Sequence, residues 1–286
     1  MRLFLTILFA FIAFSSFCQL NLPNASPDQE FTQQVGFTDV RIKYSRPSAR
    51  GRIIFGDLVP YDQLWRTGAH DATTIWFSDS LQINGVNVPS DTFSLFTIPG
   101  KTEWTVILNK VPEMHGTSDY AEANDQLRFK VKSEKAPRFY ETFTIEINDI
   151  TKDGAFVYLL WENTQAKFKI QTYADQKVMS EIAERINVKK EEKASLYYQA
   201  SLYYFNNNKD INKAYEWVKV ANSKSQEAGY LQLQAKIEAS QGKQIEALAT
   251  LAKSTELAKA KKLEPIIKAN EKLSTEWSGK KQSKKK

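Results

Sequence analysis

Cysteine is almost absent. Cys18 is the only one in 286 residues, and it closes an apolar leader. The chain beyond it therefore has no disulfide framework, no thiolate nucleophile and no Cys-ligated metal. Histidine is nearly as scarce, with His70 and His115 alone. A catalytic zinc usually takes three protein ligands, and neither histidine stands in a HExxH pattern, so no metal site is expected. A GxSxG elbow, a Gly-rich phosphate loop after a strand and an SxxK set are missing as well, and no cofactor is expected. Long hydrophobic runs are missing after Phe14. The one run, Leu3–Phe14, is too short to span a bilayer.

That run has the layout of a secretory signal peptide: Arg2, the apolar stretch, then Ser15, Ser16, Phe17, Cys18 and Gln19. Cleavage after Cys18 is expected, leaving a mature chain of 268 residues with no transmembrane segment. A lipidated Cys18 is the competing reading, against which stands the bulky Phe17 where a lipobox wants a small residue. The expected address is the periplasm or the exterior.

Charge is unevenly placed. Residues 19–175 carry 16 Lys and Arg against 20 Asp and Glu, a net of −4, whereas residues 176–286 carry 22 against 13, a net of +9. Five of those lysines fall in the closing KKQSKKK, so residues 279–286 read as a basic disordered tail. A nucleic-acid partner would need positive charge interleaved with aromatics on a folded face, and none is expected.

Two domains follow from a change of period. Over residues 25–172 apolar residues alternate, as in Val40, Ile42 and Tyr44 or Trp104, Val106 and Leu108, and Asn84-Gly85 between two short runs marks a type I′ hairpin. Eight to ten short strands without crossover helices predict an all-β antiparallel sandwich or a jelly-roll-like barrel. Residues 176–278 switch to a helical period with a Glu181–Arg185 pair at i,i+4. There Ala214, Val218 and Ala221 are echoed 33 residues on by Ala247, Leu251 and Ser254, a pattern similar to tetratricopeptide helical hairpins. The cluster Tyr197, Tyr198, Tyr203, Tyr204 and Phe205 reads as the core of one helix pair.

Candidate site residues concentrate in Arg50–Ser78, which brings Trp65, Arg66, His70 and Asp71 to the start of a strand. Loops of polar and aromatic residues on a strand scaffold are where binding groups commonly sit. Arg66 can present a planar fork of donors to a carboxylate or phosphate, or pin its own loop by bonding backbone carbonyls while Trp65 covers an edge of the core. The second candidate loop, Lys110–Gln126, carries His115. Asp57, Asp62, Asp71, Glu103 and Glu162 are carboxylates that could converge for glycan cleavage. The plainer expectations are a His70 satisfied by Asp71 or the backbone, and a Glu162 at a strand end beside an arginine.

In order along the chain, SRPSARGRIIFG, LVPYDQLWRTGAHDATTIWFS, INGVNVP, SLFTIPG, EWTVILNK, DQLRFKV and LLWEN resemble the DUF2911 family of exported bacterial proteins, common in the Bacteroidota and without assigned activity. The resemblance spans about residues 25–172 and excludes the helices. It implies Asn where this chain has His70, and a Trp-Gly pair where it has His115-Gly116. The leading expectation is a binding module for a small ligand or envelope polymer, with helical repeats that dock a protein partner. A hydrolase of envelope glycan or ester bonds using His70 is the alternative, and a structural envelope protein without a ligand is the third.

Overall fold

The computed structural model describes residues 22–283; the expected signal peptide and residues 284–286 lie outside them. The chain separates into two compact units between Asp175 and Gln176. The first is antiparallel β: β1 (Asp28–Val35), β2 (Thr38–Ser45), β3 (Ala69–Phe77), β4 (Leu81–Ile83), β5 (Val86–Val88), β6 (Thr92–Ile98), β7 (Glu103–Asn109), β8 (Asp125–Asn148) and β9 (Gly154–Thr172). They form one open nine-stranded sheet in the order β1-β2-β3-β6-β7-β8-β9-β4-β5. Turn chemistry fixes its register. Asn84 and Gly85 both take positive φ, 46° and 85°, as a type I′ turn requires, and they set Ile83 opposite Val86.

The sheet folds back on itself through β8. The first half of β8 pairs with β7 and the second with β9, with register shifts between Lys135, Tyr140 and Thr144. Pro137 lies within this irregular stretch, where its missing N–H costs no ladder bond. Beyond the bend, Phe143 N donates to Pro47 O at 2.8 Å and Ala49 N to Glu141 O at 2.7 Å. The Tyr44 hydroxyl accepts from Ile145 N at 2.8 Å. The two halves thus face one another across a single core. Ile42, Phe77 and Trp104 come from one side and Phe143, Val157 and Phe168 from the other. Each such side chain contributes roughly 1.5–3 kcal/mol on burial.

Periodicity alone predicts short strands throughout. Two of the nine are 24 and 19 residues long, because segments read as separate strands continue through the bend.

The second unit has six helices among the described residues. They are α1 (Ala174–Ala183), which begins in the last residues of the β unit, α2 (Ala194–Asn206), α3 (Ile211–Lys224), α4 (Ala228–Ser240), α5 (Gln244–Ala260) and α6 (Glu264–Ser283). The helix α6 runs beyond residue 278, into the stretch read as a tail. All six residues of the 33-residue echo are buried. They are small or apolar where neighbouring helices approach, which is why the echo was visible. Asp210 caps α3 by accepting from Asn212 N and Lys213 N, a contact worth about 1 kcal/mol. The tyrosine cluster feeds the helix core: Tyr204 meets Trp217 edge-on at 4.7 Å and Tyr198 stacks on Tyr230 at 4.4 Å. Glu181 and Arg185 pair at 3.0 Å. None of the described helices is long and apolar enough to cross a membrane.

Two tyrosines of the β unit give a pH signature. Burial and a bond to Asp125 push Tyr120 up to about 12. The bond to Asp149, then burial, pushes Tyr158 to about 12. The folded state holds these protons more tightly than the unfolded chain, whose phenols titrate near 10. Their stabilisation is complete below about pH 10 and is lost as pH rises through about 12. An absorbance titration should show a late tyrosinate phase that shrinks in Tyr120→Phe and Tyr158→Phe; ionisation of all phenols near 10 in the folded protein would contradict it.

Candidate functional site

The loop before β3 is built around Trp65. Its backbone exchanges two hydrogen bonds with Thr97, at 2.7 and 2.9 Å, which turns its side chain to the core side of β6. There the indole is 8% exposed, lies 5.8 Å from Trp161 in a near-parallel stack, and sits 5.0 Å from Phe143. The indole N–H donates to Gly68 O at 3.0 Å. Thr73 Oγ1 donates to Thr67 O at 2.6 Å, and the Thr67 and Thr97 hydroxyls meet at 3.0 Å.

These bonds hold the loop, and Arg66 takes no part through its side chain. Among the described residues the guanidinium has no hydrogen bond or ion pair, and its Nε is buried without a partner. The pin is therefore Trp65 with the three threonines. Trp65 sits in the core.

His70 has φ 57°, a left-handed conformation that Asn tolerates better than most residues. That accounts for the Asn implied at this position by the resemblance. The ring Nε2 lies 3.1 Å from Asn24 Oδ1 at the surface; its neighbour Asp71 binds His115 instead.

Asp71 and His115, 44 residues apart in sequence, are brought together. An isolated antiparallel bridge joins them, supported by Ala72 N to Met114 O at 2.9 Å and Gly116 N to His70 O at 3.2 Å. His115 Nδ1 lies 2.7 Å from Asp71 Oδ1, with the two side chains 83% and 78% exposed. The loop carrying His115 is anchored by its own small core, where Met114 packs with Ala72, Phe96 and Ile107.

A recess of about 620 Å³ opens beside this pair, lined by Asp28, Lys43, Ser45, Asp71, Glu113 and His115. It lies on the outer face of the sheet, because β2 alternates and Lys43, opposite Thr74, points away from the core shared by Ile42 and Ile75. Thr74 and Thr92 add hydroxyls. Ser45 Oγ donates to Asp28 Oδ1 at 2.5 Å, which orients that carboxylate, and Asp28 stands opposite Ser45 in the β1–β2 ladder. Tyr44 also lines the recess, and burial holds its phenol above its ordinary value.

Residues 26–170 match the profile of a protein family described as protein of unknown function, DUF2911. The chain belongs to that family. No curated protein and no solved structure matches it. The DUF2911 domain therefore holds the whole recess, while the helices lie outside the matched residues.

Of the five residues singled out from sequence, Asp71 and His115 share the recess, and Trp65, Arg66 and His70 do not line it. Asp28, Lys43, Ser45 and Glu113 went unnoticed. The pairing of β1 with β2 could have suggested the first three.

Of the five carboxylates considered for glycan cleavage, only Asp71 lines the recess. Glu103 pairs with Lys130 at 2.7 Å. Glu162 lies inside β9 with φ 48°, its carboxylate 3.4 Å from Ile54 N, rather than at a strand end beside an arginine. Asp57 N bonds Ile54 O at 3.3 Å and Asp62 N bonds Pro99 O at 2.8 Å, so their backbones serve turns. Among the described residues no three His, Cys, Asp or Glu side chains gather as metal ligands.

Proposed function

We propose that the DUF2911 domain is a binding module for a small polar ligand or a short stretch of envelope polymer, and that the helical unit docks a protein partner. The observation that carries the first part is the outer-face recess. Three carboxylates, Asp28, Asp71 and Glu113, supply acceptors. Lys43 and His115 supply donors, and the Ser45, Thr74 and Thr92 hydroxyls serve as either. That mixture suits a ligand rich in hydroxyl or amine groups, such as a sugar. Export through an N-terminal signal of residues 1–18 would place the module in the periplasm or outside the cell, where such polymers are found.

A hydrolase reading draws less support. A general base needs reach to a substrate proton and a tuned environment, and His70 instead sits exposed at the start of β3 with φ 57°, outside the recess. The test is a melt and heteronuclear NMR titration of the full chain with chitooligosaccharides, neutral glucans and simple diamines. A saturable ligand should shift resonances of β2, β3 and residues 112–115. For a sugar ligand, Lys43→Glu and His115→Ala should each weaken binding by about ten- to a hundredfold, the range of one charge-assisted bond, whereas Lys43→Glu should tighten a diamine. His70→Asn should leave binding unchanged. Turnover of a glycan or ester that His70→Asn abolishes would establish the hydrolase instead.

A further inference from the structure

The contact between Asp71 and His115 settles which ring nitrogen is free. An ionised carboxylate can only accept, so His115 Nδ1, 2.7 Å from Asp71 Oδ1, carries a proton. In the neutral ring the lone pair is then on Nε2, which has no hydrogen bond among the described residues. What His70 lacks, His115 has. It lines the recess, and a carboxylate fixes its tautomer and stabilises the imidazolium it would become.

The backbone is shaped to deliver this pair. On β2 the step from Lys43 to Ser45 is matched on β3 by the step from Thr74 to Ala69. β3 therefore bulges, and Asp71 lies within the bulge beside His70 with its positive φ. Bulges commonly re-aim side chains next to active sites. Residues 114–116 close on the bulge through the bonds to Ala72 and His70. In the same recess the Lys43 ammonium has no ion pair or hydrogen bond among the described residues.

We infer that the recess is also a hydrolytic site, which removes an O-acyl group from a hydroxyl-rich ligand. His115 Nε2 takes a proton from water as the resulting hydroxide adds to the ester carbonyl carbon. The carbonyl oxygen becomes an oxyanion, to which the Lys43 ammonium supplies a positive charge. The tetrahedral intermediate then collapses. The bond from the acyl carbon to the sugar oxygen breaks, and that oxygen takes the proton held by His115. Ester and water thus give a carboxylic acid and an alcohol, with no other reactant. Asp71 touches His115 and no reacting atom, so it is a positioning residue. Asp28, Asp71 and Glu113 set the substrate class: their charge disfavours phosphate and sulfate esters and repels the carboxylate product, leaving an acyl ester of a neutral sugar. The inference rests on the recess reading above and adds a reaction to it.

The experiment follows acetate released from acetylated xylan, and p-nitrophenol released from its acetate, by the full chain. Free imidazole at the same concentration measures what any exposed histidine would do. The wild type should exceed it by at least about a hundredfold and saturate with xylan. His115→Ala should remove that excess from kcat, and added imidazole should restore part of it. Asp71→Asn should lower kcat at least about tenfold with KM little changed, because a carboxamide can hold the other tautomer. Both side chains are exposed, so these variants should melt with the wild type. His70→Asn should leave the rate unchanged. No excess over imidazole would overturn the inference; a recess ligand that still shifted its resonances would leave the binding reading standing, and the loss of both would remove the recess as a site. An excess that survives in His115→Ala would overturn the assignment of the base. Equal kcat in Asp71→Asn would reduce the Asp71–His115 contact to a surface ion pair.

Discussion

Replacing Trp65 with alanine is expected to lower the stability of the β unit by about 3–5 kcal/mol, the range for deleting a large aromatic from a packed core. Three losses coincide. The indole leaves a hole beside Phe143, Trp104 and Trp161, and the Gly68 carbonyl loses its donor. The segment that delivers Asp71 to the recess then loses the anchor at its start. For a unit of this size the shift corresponds to roughly 2–4 °C in Tm per kcal/mol, so a fall of about 6–20 °C is expected. Arg66→Ala is the contrast. With no bond to lose among the described residues, it should cost less than about 1 kcal/mol, the scale of a surface change. Thermal and urea melts of the two variants decide the matter. If Arg66→Ala falls as far as Trp65→Ala, the guanidinium holds the loop and Trp65 is not its pin.

Much of the fold could be read before any coordinates because its signals are local. The Asn84-Gly85 turn carries its φ requirement in its own two residues, and alternation over Val40–Tyr44 needs only period two. The 33-residue echo in the helices is likewise a direct print of burial. What escaped was non-local. Nothing near Pro137 announces that β8 continues past a bulge, since the pairing that carries it onward comes from β9 and from residues 47–49.

The site divides in the same way. Asp71 and His115 were recognisable as chemical residues, but their meeting depends on a single bridge between a strand start and a loop. Trp65 could be read as a ligand contact, as an aromatic in a Gly-punctuated loop often is, or as cover for an edge of the core, and the core reading holds. Its backbone pairing with Thr97 turned it inward. His70 attracted attention for its chemistry, while its place in the fold is explained by a positive φ.

Gly36→Ala should rank with the core truncation among single changes in the β unit, although it only adds a methyl group. Gly36 and Phe37 form the two-residue turn between β1 and β2, with Val35 opposite Thr38. Gly36 has φ 61° while Phe37 does not take positive φ, the pattern of a type II′ turn that wants glycine first. A non-glycine residue there carries about 1–3 kcal/mol of backbone strain. Space makes it worse. A Cβ would lie 2.7 Å from Ala174 Cβ, 2.8 Å from Thr172 Oγ1 and 3.0 Å from Lys152 O, so β1 must shift, adding about 1–3 kcal/mol of overpacking. The expected total is about 2–6 kcal/mol. Gly85→Ala is the control: it also has positive φ, 85°, but nothing lies within 4 Å of its added Cβ, so only strain remains. The difference between the two losses in urea melts measures packing at the β1–β2 turn. Because β1 supplies Asp28 to the recess, Gly36→Ala should also weaken any recess ligand, whereas Gly85→Ala should not. Equal destabilisation by the two substitutions would show that the close approach of Gly36 to Ala174 and Thr172 adds nothing to the stability of this edge.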